Sequence, residues 1–277
     1  MNQPVNLSAA LEKLIPAKAV LQPASSARQD ATGAAHSEAL PKQQIYGVTT
    51  LVPMRQTLDA EATEALYEQL RTRAISCAPE ALADLGWMMV NGIHLQTNFV
   101  LGHQLLQHAA DLRFAVALFT QAECFRHGVG FLKDCSKAEE LYTSALFCGD
   151  TQIPPHNRSI HGMAVHALGQ LYEEGSTDGE PDHETAVRHY MLAASLGSSN
   201  ARIDECRLLL LKHSPAYDYE AALYRLQEAA LLGIHAASHL LSEIYAGKFE
   251  EHTPPTDPDG RMRHFWYQLA REQQPEP

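Results

Sequence analysis

The hydrophobic positions of residues 164–197 fall on two helical faces, one after the other. On the first face Ala164, Leu168 and Tyr172 recur every four residues, which places them on one side of an α-helix. The second face carries Ala186, Tyr190, Ala193 and Ala194. A glycine follows each half, as is common just beyond the last turn of a helix. The stretch therefore predicts a helical hairpin.

Four further stretches fit the same template. Together the five stretches predict hairpins at about residues 78–113, 114–149, 161–197, 198–233 and 234–271. The large apolar residue of the first helix falls at Met89, Phe125, Tyr172, Leu209 and Tyr245, so that successive positions are 36, 47, 37 and 36 residues apart. The long interval contains an insertion at residues 150–161, whose removal restores the period. A register held five times indicates a repeat protein.

A hairpin of this length cannot bury its apolar faces alone, so the hairpins are expected to stack. Alanine and glycine positions let the helices approach closely, and the larger apolar side chains fill the space between hairpins. We expect an all-α fold over residues 51–277: an α/α solenoid, wound as a right-handed superhelix, of about five hairpin repeats. A helix from Leu58 to Ile75, with Thr57 as its N-cap, is expected to cover the first hairpin.

The first 50 residues have a different composition and predict a flexible leader. Residues 16–45 are rich in Ala, Ser, Gln, Pro and Gly and show no sustained apolar period, which is typical of a linker. Before them, residues 7–15 predict one short helix that Pro16 ends. Its apolar face carries Leu7, Leu11, Leu14 and Ile15. The pattern leaves open whether this helix docks on a partner, docks on the body of the chain, or is part of a frayed leader whose periodicity arises by chance.

The pattern A-x-x-x-L-G-x-x-Y-x-x-G, followed by A-x-x-x-Y-x-x-A-A-x-x-G, resembles the Sel-1-like repeat, a relative of the tetratricopeptide repeat. The resemblance covers residues 78–271, although Lys212 and Arg113 stand where the template has glycine. It implies a scaffold or adaptor, as found in many bacteria, that binds a protein or peptide partner through the solenoid groove. It implies neither catalysis nor a cofactor.

Composition narrows the class of partner. The formal net charge of −12 argues against binding to nucleic acid or to an anionic membrane, since both need a basic surface. No apolar run is long enough to span a membrane, and the N-terminus lacks the pattern of a secretory signal. The five cysteines form no C-x-x-C pair, so neither a disulfide framework nor a zinc ribbon is expected. We therefore expect a cytoplasmic protein.

Candidate binding residues are the polar side chains just off the apolar register of the first helices, where they would face the groove. They are Gln121, Glu123, Gln170, Arg202, Glu205, His239 and Glu243. Leu11 and Leu14 of the leader are added, because an amphipathic segment can itself be the recognition element.

Two other functions remain open. His235 and His239 are spaced i, i+4 on a helix and Glu243 continues the same face, which would suit a metal ion, although no fourth ligand is evident. The alternative to the scaffold is therefore a histidine-based metal- or pH-responsive regulator. A more remote one is a β-lactam-binding hydrolase-like repeat protein, but those relatives carry a cysteine pair in each repeat. We assign no catalytic, cofactor-binding or metal-binding residue.

Overall fold

The computed structural model describes residues 7–21, 59–149, 152–153, 158–175, 179–248, 257 and 259–273. Within them the prediction of an all-α chain is confirmed, apart from one β-hairpin whose two strands have two residues each. The helices are α1 (Leu7–Leu14), α2 (Ala60–Ile75), α3 (Pro79–Asn91), α4 (Phe99–Asp111), α5 (Ala115–His127), α6 (Cys135–Leu146), α7 (Ile160–Glu174), α8 (His183–Ser195), α9 (Ser199–Leu209), α10 (Tyr219–Leu231), α11 (His235–Tyr245) and α12 (Arg261–Glu272). Residues 22–58, which include most of the predicted flexible leader, lie outside the described residues.

The chain divides into two compact units, Met1–Ala164 and Val165–Pro277. In the first unit α1 packs on α2, α2 on α3, α3 on α4, α4 on α5 and α5 on α6. In the second unit α8 packs on α9, and each following helix packs on the next, as far as α12. In both units the helices therefore contact their neighbours in the chain, as stacked hairpins do.

The β-hairpin lies in the predicted insertion. Strand β1 (Gln152–Ile153) pairs antiparallel with β2 (Arg158–Ser159), and Ile153 is opposite Arg158. Residues 154–157, between the two strands, lie outside the described part of the chain.

The second helices of the first four hairpins, α4, α6, α8 and α10, begin at an acidic or amide N-cap. Asn98, Asp134, Asp182 and Asp218 each accept a hydrogen bond from the backbone N–H three residues further on. Such a cap satisfies one of the N–H groups that a helix leaves unpaired at its start. Asp59 caps α2 in the same way, at 2.7 Å from the N–H of Ala62. The predicted cap at Thr57 is therefore wrong, because the helix begins at Ala60 and the carboxylate beside its first turn fulfils that role.

The core combines the repeated small and aromatic positions with many leucines. Tyr142 and Tyr190 are fully buried and Trp266 nearly so, as the register predicts. In the second unit Trp266 packs in one apolar cluster with residues that include Cys206 and Leu226. Tyr172 and Tyr245, which the register also assigns to the core, are half-buried.

Helices α3 and α4 approach each other backbone to backbone at two glycines. A Cβ atom on Gly86 would lie 2.8 Å from the carbonyl oxygen of Gly102 and 2.8 Å from Cγ of Leu106. A Cβ atom on Gly102 would lie 2.9 Å from the carbonyl oxygen of Gly86. Neither position has room for a side chain, so the distance between the two helices depends on both glycines.

We predict that Gly86→Ala lowers the free energy of unfolding by about 1–3 kcal/mol, because the added methyl group forces two backbones apart. Helix propensity alone predicts the opposite sign, a gain of about 1 kcal/mol. The measurement is denaturant unfolding at equilibrium. Gly149→Ala is the control, since a Cβ atom there meets nothing within 4 Å. A Gly86→Ala chain more stable than the wild type would contradict the packing argument.

Candidate partner-binding site

Three of the polar residues predicted to line the groove are buried: Gln121, Glu123 and Glu205. Nε2 of Gln121 donates to Oε1 of Gln107 on α4, at 3.2 Å. Helix α5 is packed between α4 and α6, so side chains just off its apolar register still point into the protein. As a correction to the sequence interpretation, these three residues belong to the interior, where a partner cannot touch them.

Glu123 is the centre of a polar cluster inside the hairpin α5–α6. Its carboxylate accepts a hydrogen bond from the Tyr142 hydroxyl, and Nε2 of His127 lies 3.6 Å from its other oxygen. Burial alone would raise the pKa of Glu123, but His127, the charge of Arg126 and the Tyr142 hydroxyl outweigh it and hold the pKa below its ordinary value. Burial and the charge of Glu123 raise the pKa of Tyr142, so the hydroxyl keeps the proton that it donates.

Two further glutamates join the helices of hairpins in the second unit. Arg225 of α10 forms an ion pair with the carboxylate of Glu205 on α9. The Tyr190 hydroxyl of α8 donates to the carboxylate of Glu173 on α7. In three hairpins, then, a side chain of the second helix binds a glutamate of the first. Taking a carboxylate out of water offsets much of what its partner contributes, so such pairs mainly fix how the helices meet.

Four of the predicted residues remain at the surface of the second unit: Gln170, Arg202, His239 and Glu243. Glu243 lies between a histidine on its own helix and a lysine next to that helix. Nδ1 of His239 is 3.7 Å from one carboxylate oxygen, and Nζ of Lys248 is 3.2 Å from the other. These side chains are accessible to a partner.

The sequence leaves open a metal site at His235, His239 and Glu243, but in the structure the first of these histidines makes a structural hydrogen bond. Nδ1 of His235 donates to the carbonyl oxygen of Ala270 on α12, at 2.8 Å, and so ties the last helix to the array. In the part of the chain that the structure describes, no group of three or more His, Cys, Asp or Glu side chains is arranged to hold a metal ion.

Sequence reasoning missed a link between two first helices. Nε2 of His166 on α7 lies 2.8 Å from a carboxylate oxygen of Asp204 on α9. The hydrophobic period shows which residues are interior, but not which polar residues of different helices become neighbours. No signal in the sequence could have identified this pair.

Leu11 and Leu14, predicted as part of a recognition segment, lie on α1, which packs against the body of the chain. Leu11 and the neighbouring Ile15 are fully buried, and Leu14 is half-buried. Of the possibilities that the sequence leaves open, the structure shows the segment docked on the chain itself.

Four second helices end at an exposed apolar residue, which the sequence analysis did not single out. The C-cap residues of α4, α6, α8 and α10 are Leu112, Phe147, Leu196 and Leu232, which are 42%, 75%, 40% and 70% exposed. We call these four residues the apolar C-caps. Each lies one or two residues before the template glycine position of its hairpin. This recurring apolar position is visible in the sequence.

Beside the apolar C-cap Phe147, the first unit has a hollow of about 550 Å³, which is also lined by residues that include Leu118, Cys148 and Arg113. The guanidinium of Arg113 donates to the carbonyl oxygen of Phe147, at 2.8 Å. Arg113 occupies a template glycine position with φ at 59°, left-handed backbone that costs about 1 kcal/mol in a residue other than glycine. The arginine is thus held in a strained conformation with its charge at the edge of an apolar hollow.

A family model for the Sel1 repeat matches residues 79–114, 115–146 and 162–198. The chain carries Sel1 repeats. The matches fall on α3–α4, α5–α6 and α7–α8 and confirm the predicted resemblance, although together they cover less than half of the chain. No curated protein matches the sequence.

Two solved structures share the fold. The Sel1 repeat protein from Oxalobacter formigenes is 23% identical, with 76% of this chain and 80% of that chain covered and a TM-score of 0.58. The protein c5321, a protective antigen present in uropathogenic Escherichia coli strains and displaying an SLR fold, is 20% identical. That comparison covers 76% of this chain and 42% of the other, with a TM-score of 0.57. At these identities the likeness shows the fold alone, an all-α solenoid of Sel1 type.

Helices that span a membrane are long and apolar, and the helices in the described residues can be judged by both properties. None of them combines the necessary length and apolarity.

We predict that Tyr142→Phe lowers the free energy of unfolding by about 1–3 kcal/mol, because the buried carboxylate of Glu123 loses a donor. The pKa of Glu123 is lowered in the folded protein, so its contribution to stability is present at neutral pH and is lost as the pH falls through that lowered pKa. The difference between variant and wild type should therefore shrink in acid.

Chemical unfolding at neutral and at acid pH measures this difference. The control is Tyr224→Phe, which removes a hydroxyl that donates to Glu228 at 3.1 Å on an exposed surface. That change should alter stability by less than about 0.5 kcal/mol. Equal effects at the two tyrosines would show that burial of the Glu123 pair is energetically unimportant.

Proposed function

We propose that the chain is a non-catalytic scaffold whose helical array binds a protein or peptide partner. Sel1 repeat proteins are in general interaction scaffolds, and this chain carries three such repeats. We further propose that the hairpins at 198–233 and 234–271 are a fourth and a fifth repeat of the region 51–277, behind the leader 1–50. In support of the fourth, α10 has an aspartate N-cap like α6 and α8, and an apolar C-cap like α4, α6 and α8. In support of the fifth, α11 packs on α12 as the two helices of a hairpin do.

The apolar C-caps are the observation that carries this proposal. A helix needs hydrogen-bond partners at its last carbonyl groups, but it needs no large apolar side chain there. Phe147 and Leu232 are nevertheless largely exposed, at the same end of their hairpins. An exposed apolar side chain beside a hollow, as Phe147 is, is typical of a protein-interaction surface, and an arginine at the edge, such as Arg113, often contributes to affinity.

The first-helix groove is the second surface on which the scaffold can hold a partner. Its accessible members are Gln170, Arg202, His239 and Glu243, all in the second unit. They are polar and partly charged, whereas the C-caps are apolar, so the two surfaces would select partners of different chemistry. The net charge of −12 supports a protein rather than a nucleic acid or an anionic membrane as the partner.

We also propose that the scaffold acts in the bacterial cytoplasm. All five cysteines are free, which supports a reducing compartment. The two structures with the same fold are described as proteins of bacteria, which supports the same assignment.

We predict that affinity capture from native cell extract with the full chain as bait enriches a specific protein, and that changes at the C-caps remove it. The variant Phe147→Ser/Arg113→Gly should reduce capture about ten-fold or more, because an apolar anchor and its neighbouring charge are lost. Glycine also relieves the strained backbone of Arg113, so loss of capture would not reflect loss of fold.

The variant Gln170→Ala/Arg202→Ala/His239→Ala tests the groove in parallel, and exposed Lys212→Ala is the control. Loss of the partner with the groove variant alone would move recognition from the C-caps to the first helices. Retention by both variants would place it elsewhere, and turnover by the purified protein would contradict the scaffold function.

A further inference from the structure

Residues 7–21 lie on the first unit in the manner of a bound peptide. Helix α1 packs on α2 and buries Leu11 and Ile15 completely. After the helix, the segment runs on until Leu21 pairs with Leu95, as an antiparallel bridge, in the loop between α3 and α4. The surface formed by α2 and this loop thus receives first a helix and then, at Leu21, a single bridging residue.

The polar contacts of this surface go to main-chain atoms of the segment. The carbonyl oxygen of Pro16 accepts hydrogen bonds from the Tyr67 hydroxyl at 2.7 Å and from Nε of Arg71 at 2.9 Å. The carbonyl oxygen of Val20 accepts one from the backbone N–H of Gln96, at 2.8 Å. Since every residue has a carbonyl group, these contacts select a backbone shape and not a side chain.

Proline at position 16 makes that backbone shape available. It ends the helix and leaves its own carbonyl oxygen without a helical partner, where Tyr67 and Arg71 can reach it. Burial raises the pKa of Tyr67 to about 12, so its hydroxyl remains protonated and donates. Side-chain selectivity is left to Leu11 and Ile15, which are four residues apart and fully buried.

We infer that the surface made by α2 and the α3–α4 loop is a peptide-docking site, and that residues 7–21 hold it closed. Its partner is a linear segment of another protein with the same chemistry. That segment is a short amphipathic helix with two apolar residues four positions apart, then a proline, then a short stretch whose main chain pairs with the loop between α3 and α4. The C-caps and the groove take no part in it.

The contacts make the closed form reversible. A helix of eight residues is too short to be stable by itself, so α1 depends on the surface that it covers. Residues 22–58 join the segment to α2 and keep it near its site, at an effective concentration that a partner must exceed. The segment is therefore a competitor that sets the affinity threshold for an outside ligand.

The experiment uses the full chain and a fluorescently labelled peptide of residues 7–21 as the probe. The variant Leu11→Asp/Ile15→Asp releases the segment, because a carboxylate cannot enter an apolar pocket without a partner. We expect fluorescence anisotropy to show saturable binding of the probe to this variant, and binding about ten-fold or more weaker to the wild type, whose site is occupied.

Two controls connect binding to the contacts. A probe that carries the same two aspartates should not bind, and Arg71→Ala in the released chain should weaken binding several-fold. Circular dichroism shows whether the released chain is folded. If the Leu11→Asp/Ile15→Asp chain is not folded, the milder variant Leu11→Ala/Ile15→Ala replaces it and should give the same order of affinities.

Absence of saturable binding to a folded released chain would overturn the docking site. Equal affinity for the released chain and the wild type would overturn closure by residues 7–21. A wild-type dimer that forms with rising concentration, and that the two aspartates abolish, would overturn the choice of occupant in favour of the same segment of a second copy. Loss of capture through the C-caps is independent of all three results.

Discussion

The close approach of the two helices in a hairpin is the constraint on which the rest of the structure depends. At Gly86 and Gly102 the backbones of two helices meet without a side chain between them, so each helix is packed directly against the other. In the hairpin α7–α8 the ring of Tyr190 occupies the space above Gly169, where a Cβ atom would lie 2.6 Å from the ring. Small residues thus set the spacing of the helices and also leave room for the aromatic side chains that fill the core.

This spacing explains why carboxylates are found inside the array. Helices that pack on both sides have little surface left, so polar residues at the edge of the apolar face become buried as well. Glu123 and Glu205 are tolerated there because Tyr142 and Arg225 on the second helix of the same hairpin reach them. The shared requirement for a partner makes each pair a marker of correct helix alignment rather than a large source of stability.

The repeat could be predicted from the sequence because a hydrophobic period reports burial directly. The position of a groove could not be predicted in the same way. A hydrophobic period of 3.6 residues distinguishes a buried from an exposed side of a helix only when one side is exposed. In α3 the residues from Ala81 to Val90 are all buried, and in α5 most of Ala115 to Arg126 are, so these first helices have almost no groove face. Gln121 and Glu123 were assigned to a surface that the neighbouring helices remove.

The docking of residues 7–21 was undecided for a different reason. The apolar face of α1 is evident in the sequence, but its receptor is built from Tyr67, Arg71 and the N–H of Gln96, which lie in two separate elements. An apolar face shows that a helix needs a partner, and carries no information on which chain supplies it.

The first and the last helices of the described chain, α1 and α12, are held in place in different ways. The difference favours a functional role for α1. At the far end, His235 on α11 donates to the carbonyl oxygen of Ala270 on α12, and Gln273, just after α12, donates to that of Ala230 on α10, so that α12 is tied both to its own hairpin and to the preceding one. Helix α12 is also part of a repeat-like hairpin, so its departure would expose the core around Trp266. Helix α1 belongs to no hairpin and covers α2 from a distant part of the chain. An end cover that is short, separate in sequence, and held by two buried apolar side chains and by hydrogen bonds to its main chain can be exchanged for a similar segment without disturbing the repeats. The contacts that complete the fold then also define a ligand.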